Sequence, residues 1–158
     1  MLQTVDFWPR LRAEAFPFTA RHAVVSITDP GQTPANIVGT STLLRLSFFD
    51  LVEDIGHPDF PPEKLFVPQK ARALREFIAA VQQASRIDTC IVHCEAGVSR
   101  SAAVALVVEA LTGAAFPTRA RAGLANALVL QVCEMEMGLQ ITLPPLPESS
   151  GGSFFGRS

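Results

Sequence analysis

Residues 89 to 111 hold an apolar run, Thr89-Cys90-Ile91-Val92, then the loop His93-Cys94-Glu95-Ala96-Gly97-Val98-Ser99-Arg100-Ser101, then a second apolar run from Ala102 to Val108. The first run reads as a central strand covered on both faces. The second is apolar nearly all round over Ser101 to Leu111 and reads as an interior helix that stops at Gly113. A nine-residue loop pinned between two buried elements has little freedom, and it carries a cysteine and an arginine with five residues between them.

Cys94 lies where strand gives way to helix, facing unpaired backbone N–H groups and the positive end of the helix dipole. Such surroundings favour thiolate over thiol. Arg100, turned back by the loop, can offer its planar fork to two phosphate oxygens, beside the amides of the loop. Gly97 permits a backbone curl that a Cβ would obstruct. Ser101 is placed to bond the sulfur and help it leave. His93 is better suited to holding loop carbonyls or tuning the cysteine than to acting as a base.

The pattern His-Cys-x2-Gly-x2-Arg-Ser, filled by His93, Cys94, Gly97, Arg100 and Ser101, resembles the signature of the cysteine-dependent protein tyrosine phosphatases. The form Ala-Gly-Val-Ser-Arg-Ser is most similar to their compact dual-specificity branch. The resemblance implies a phosphatase-like fold and a two-step hydrolysis of phosphomonoesters through a cysteinyl-phosphate. In it the loop from Glu95 through Ala96, Gly97, Val98 and Ser99 to Arg100 would hold the phosphate, and a carboxylic acid would protonate the leaving oxygen and then activate water. It also implies phosphorylated protein or peptide substrates, with inorganic phosphate or other oxyanions bound by the loop. In that branch the acid follows a strand of the type Leu-x-Ile-x-x-x-Asp. Leu44 to Asp50 fits, which makes Asp50 the first choice, with Asp54 and Asp59 as competitors in an unusually long following segment. A phosphate-binding pseudophosphatase or regulatory module without a correctly placed acid is the alternative, and a rhodanese-like sulfurtransferase a minor one.

The rest of the chain reads as one α/β domain over residues 1–147, with a central, mostly parallel sheet of four to five strands flanked by helices. Thr4 to Phe7 is expected as an edge strand, with Trp8-Pro9 opening a helical turn over residues 10–15. His22 to Ile27 is a buried strand closed by the turn signal Asp29-Pro30-Gly31, and Ser41 to Phe48 is the strand that delivers Asp50. Residues 50–66 form a loop stiffened by Pro58, Pro61 and Pro62. Pro68 to Gln83 is an amphipathic helix burying Ala71, Leu74, Phe77, Ile78 and Val81. Thr118 is expected to cap a helical stretch toward Met137, broken near Gly123. Residues 148–158, rich in serine and glycine, read as a flexible tail, preceded by the domain-ending Pro144-Pro145-Leu146-Pro147.

Composition narrows the function. A chain of 158 residues with net charge −2 offers no broad basic surface for nucleic acid. No apolar run approaches the length of a membrane span, and Met1 to Phe7 lacks the marks of a signal peptide, so a cytoplasmic location is expected without membrane association. Three cysteines suit a reducing compartment. Cys90 and Cys133 read as core packing, and His57 with Asp54 and Asp59 as turn chemistry, so neither metal nor cofactor is expected. There is no tyrosine anywhere in the chain. Tyrosine-specific phosphatases stack the substrate ring on one in a deep cleft, so a shallower pocket that also admits phosphoserine or phosphothreonine is expected. The absence of lysine from the loop argues against inositol phosphates and nucleotide or RNA 5′-phosphates.

Overall fold

The computed structural model describes residues 1–146. The boundary at residue 147 and the tail read over 148–158 lie outside the described residues. Four strands, β1 (Thr4–Pro9), β2 (His22–Thr28), β3 (Leu43–Ser47) and β4 (Thr89–Cys94), form one sheet in the order β1-β4-β2-β3. Every pairing is parallel. The mostly parallel sheet expected from the sequence is thus wholly parallel, with four strands.

Parallel strands must have both faces covered, because their crossovers bring helices to each side. One face carries the long helices α2 (Pro68–Gln83), α3 (Arg100–Thr112) and α4 (Ala127–Met137). They share with the sheet a continuous core that includes Val5, Val25, Ile27, Leu74, Val92, Leu106 and Val129. The short α1 (Arg10–Ala15) accompanies a smaller cluster of Trp8, Ala13, Phe18, Val24 and Ile91. α3 is buried from Arg100 to Val108, and Gly113, at φ 73°, ends it in the left-handed conformation that an L side chain resists.

β1 is the edge strand foreseen, but it runs on through Pro9, which stands as the N-cap of α1 rather than inside its first turn. Asp6 locks this strand in place. Its carboxylate accepts from the indole N–H of Trp8 at 3.0 Å and from the Thr118 hydroxyl at 2.5 Å. Thr118 is therefore committed to β1 and makes no side-chain cap. The helical stretch expected from it toward Met137, with a break near Gly123, consists of two elements, a 3-10 segment over Arg119–Leu124 and then α4. Gly123 lies inside the 3-10 segment, where a Cβ would meet the backbone of Pro145 and Leu146 at 3.0 and 3.2 Å.

Candidate active site

All four strands point the same way, so the crevice beyond their carboxyl ends gathers the loops after β1, β2, β3 and β4. Cys94 is the last residue of β4, and Arg100 the first of α3. Cys94 is 2% exposed, and its sulfur receives the Gly97 N–H at 3.3 Å, with the Ser101 hydroxyl 3.0 Å away. Gly97 adopts φ 69°, and a Cβ there would sit 2.3 Å from the Pro9 nitrogen. The end of β1 is thus the wall against which the loop is curled. Arg10 continues that wall. Its N–H donates to the Glu95 carbonyl at 3.2 Å, and its guanidinium lies 3.7 Å from the Glu95 carboxylate and 3.5 Å from that of Glu14.

Arg100 is 5% exposed. One edge of its guanidinium is occupied, since Nη1 donates to Asp29 Oδ1 at 2.6 Å and to the Phe48 carbonyl at 2.7 Å. Nε is buried and has no hydrogen-bond partner among the described residues. A buried donor left in this way costs about 1–3 kcal/mol unless something accepts from it. An oxyanion seated in the loop would do so. Asp29 was legible in the sequence only as part of a turn. Its position at the carboxyl end of β2, which neighbours β4, was the available signal.

His93 is fully buried and does not reach the sulfur. Its Nδ1 lies 3.3 Å from the Cys94 carbonyl and its Nε2 2.6 Å from the Ser26 hydroxyl, which in turn accepts from Arg45 Nη1 at 3.1 Å. Burial holds the imidazole below its ordinary pKa and hence neutral. A carbonyl can only accept, so Nδ1 bears the proton and Nε2 accepts from Ser26. This network ties the imidazole to the carbonyl of the cysteine.

The structure brings Asp50 to the loop. Its Oδ1 accepts from the Ser99 hydroxyl and from Asn126 Nδ2, each at 2.8 Å. Ser99 heads α3 without capping it, its hydroxyl being turned to Asp50. Asp54 and Asp59 make no side-chain bond to the loop. Asp54 accepts from the Gly56 N–H and the Asp59 N–H bonds to His57 Nδ1, all within the exposed stretch 52–59. The segment's ends are stapled by Phe49 N–H donating to the Lys64 carbonyl at 2.9 Å and by the edge-to-face pair Phe48 and Phe66 at 5.0 Å. Lys70 of α2 adds bonds to the carbonyls of Glu63 and Leu65 at 2.9 and 2.6 Å.

Cys90 and Cys133 are buried free thiols, each pushed up to about 12 by burial. Among the described residues no group of three or more His, Cys, Asp and Glu side chains could hold a metal ion. No helix there is long and apolar enough to cross a membrane.

A parallel sheet whose central strand ends in a cysteine that receives a backbone N–H, followed by a loop that leads into a buried arginine, is the arrangement of a cysteine-based phosphatase. Residues 6–115 match the family model described as protein-tyrosine phosphatase, and the chain belongs to that family. Neither the curated proteins nor the solved structures contain a match.

Proposed function

We propose that the protein hydrolyses phosphomonoesters on phosphotyrosine-bearing proteins, with the dual-specificity range that also takes phosphoserine and phosphothreonine, through a cysteinyl-phosphate. The observation that carries this reading is the convergence on one loop of the Cys94 sulfur, the unpartnered Nε of Arg100 and the Asp50 carboxylate. The phosphate rests on the loop from Glu95 to Ser99, with Arg100 accepting its charge. The Cys94 thiolate attacks phosphorus, a sulfur–phosphorus bond forms, and the bond to the leaving oxygen breaks as protonated Asp50 gives that oxygen its proton. Water then attacks phosphorus and passes a proton to the Asp50 carboxylate. The sulfur–phosphorus bond breaks, and Ser101 steadies the returning thiolate. Inorganic phosphate, the product, is held by the same cradle. A nucleophile of this kind needs a reducing compartment, which agrees with a cytoplasmic enzyme.

Hydrolysis of an aryl phosphate across pH by the wild type, Cys94→Ser and Asp50→Ala tests the reading. Cys94→Ser is expected to show no turnover, and Asp50→Ala to lose about 10²–10⁴-fold on a poor leaving group together with the alkaline limb. Full activity in Cys94→Ser would sink the mechanism. A wild type that binds phosphate but turns over no ester would mark a pseudophosphatase. An Asp50→Ala variant equal to wild type on a phosphopeptide would move the acid to Asp54 or Asp59.

A further inference from the structure

Arg45, Ser26 and His93 stand on one rung of the sheet. Ser26 of β2 is in register with Arg45 of β3 on one side and with His93 of β4 on the other. Residues paired across strands turn their side chains to the same face, so the three meet in a row. Arg45 Nη1 is anchored on the Ala35 carbonyl at 2.7 Å and lies 3.1 Å from Ser26 Oγ. Ser26 and His93 are both 0% exposed, and 2.6 Å separates Ser26 Oγ from His93 Nε2. The row ends at the Cys94 carbonyl, 3.3 Å from Nδ1.

The middle bond is the shortest of the row, and by itself it has no direction. A hydroxyl both donates and accepts, and a neutral imidazole can carry its proton on either nitrogen. A guanidinium only donates. Ser26 Oγ therefore accepts from Arg45, and its one hydrogen is left for Nε2. Reversing the middle bond, with Nε2–H donating to Ser26, would set two donors on that oxygen and turn its hydrogen away from the nitrogen that accepts it. Full protonation of the ring meets the same obstacle, because an imidazolium carries a hydrogen on both nitrogens.

We infer that Arg45 is a positioning residue: acting through the Ser26 hydroxyl, it keeps His93 in the Nδ1–H tautomer that donates to the Cys94 carbonyl. A trans peptide sets its N–H opposite to its carbonyl. Holding the Cys94 carbonyl at the imidazole thus also fixes the direction of the Glu95 N–H, the first amide of the loop. The state of the ring can be read without turnover, and only its effect on rate rests on the hydrolysis proposed above.

The charged and titratable groups on the elements about His93 are Arg10 and Glu14 of α1, Arg45 of β3, and Cys94 and Glu95 of the loop, with Asp6 of β1 and His22 of β2 farther along the same face. Arg45→Met alters Arg45 alone, at an exposed position on an edge strand, and empties no core site. NMR of the two ring nitrogens in labelled protein reads the tautomer directly. The wild type is expected to show one state, with Nδ1 protonated and Nε2 bare, from about pH 6.5 upward. Arg45→Met is expected to show two tautomers in exchange and to protonate its ring at a higher pH than the wild type. Its kcat/KM on an aryl phosphate is expected to fall about fivefold, the worth of one hydrogen bond. Arg45→Lys restores a group that only donates, and is expected to return the single tautomer and the rate.

If thermal melting shows Arg45→Met unfolded, Arg45→Gln takes its place, since an amide offers an acceptor as well as a donor and leaves the row without a direction. A folded variant that keeps the wild-type tautomer and ring titration overturns the inference, as does a wild type with the proton on Nε2. Mixed tautomers at an unchanged rate overturn the link to the loop. Cys94→Ser separates these outcomes from the proposed hydrolysis. If Cys94→Ser still turns over the ester while Arg45→Met mixes the tautomers, hydrolysis through Cys94 fails and the hold of Arg45 on the ring stands. If Cys94→Ser is inactive and the Arg45 variants keep the wild-type ring, only the positioning role fails.

Discussion

The two halves of the site are built to opposite plans. The Cys94 half, His93 to Ser101, continues a central strand into a helix buried from its first residue, and its glycine is pressed against the backbone of another strand. The Asp50 half, residues 50–66, is an excursion whose stretch 52–59 is wholly exposed and whose structure comes from staples at its ends. Packing density explains the contrast. On the proposed mechanism a cysteine and an arginine must keep their spacing whether or not a phosphate is present, and the interior provides that rigidity. An acid must admit a substrate first, and a surface segment tied down at few points leaves room for entry.

Gly97→Ala strikes the packed half and is expected to have the largest effect. The left-handed φ costs about 1–2 kcal/mol for a residue with a Cβ. The new atom would also lie 2.3 Å from the Pro9 nitrogen, so either the loop or the end of β1 must shift. A displacement near 1 Å at a reacting centre costs about 10²-fold in rate. Denaturant unfolding and kcat/KM on an aryl phosphate should both register the change.

Phe60→Ala strikes the exposed half. It removes an edge-to-face contact with Phe49 at 5.0 Å and a tilted one with His57 at 5.6 Å. We expect about 1 kcal/mol of lost stability and a few-fold change in kcat/KM. A loss in Phe60→Ala equal to that in Gly97→Ala would abolish the contrast.

The smallest effect concerns pH. Burial lowers the pKa of His93 in the folded protein, so the unfolded chain binds the proton more readily. Stability is then complete above the unfolded value of about 6.5 and declines as pH falls from there toward the folded value. The melting temperature should drop as pH falls below about 6.5, and His93→Gln should flatten that part of the curve. A wild-type curve no steeper than that of the variant would place the titration elsewhere.

The same contrast governs how much could be read from the sequence. The strand, loop and helix around Cys94 are consecutive, so periodicity and a compact motif expose them together. Pro68–Gln83 was equally plain, because one helix face repeats over four turns. Asp29 and Asn126 escaped for the opposite reason. Asp29 meets Arg100 across 71 positions and Asn126 meets Asp50 across 76, and neither pairing leaves a local pattern. Thr118 misled because a hydroxyl before a helical stretch resembles a cap, whereas this one is drawn off by Asp6 of β1.

The strand order has a consequence for how the protein comes into being. Among the described strands β1 pairs with β4, Thr4 opposite Thr89 and Pro9 opposite Cys94, so the earliest strand waits for the latest. Contacts of such long sequence separation form slowly, since a large chain loop must close before any of them is gained. Trp8, Pro9 and Arg10, which back the curl at Gly97 and reach Glu95, come into position only with that closure. A nascent chain can therefore carry Cys94 with no cradle around it, and the wall behind its loop arrives with the completed sheet.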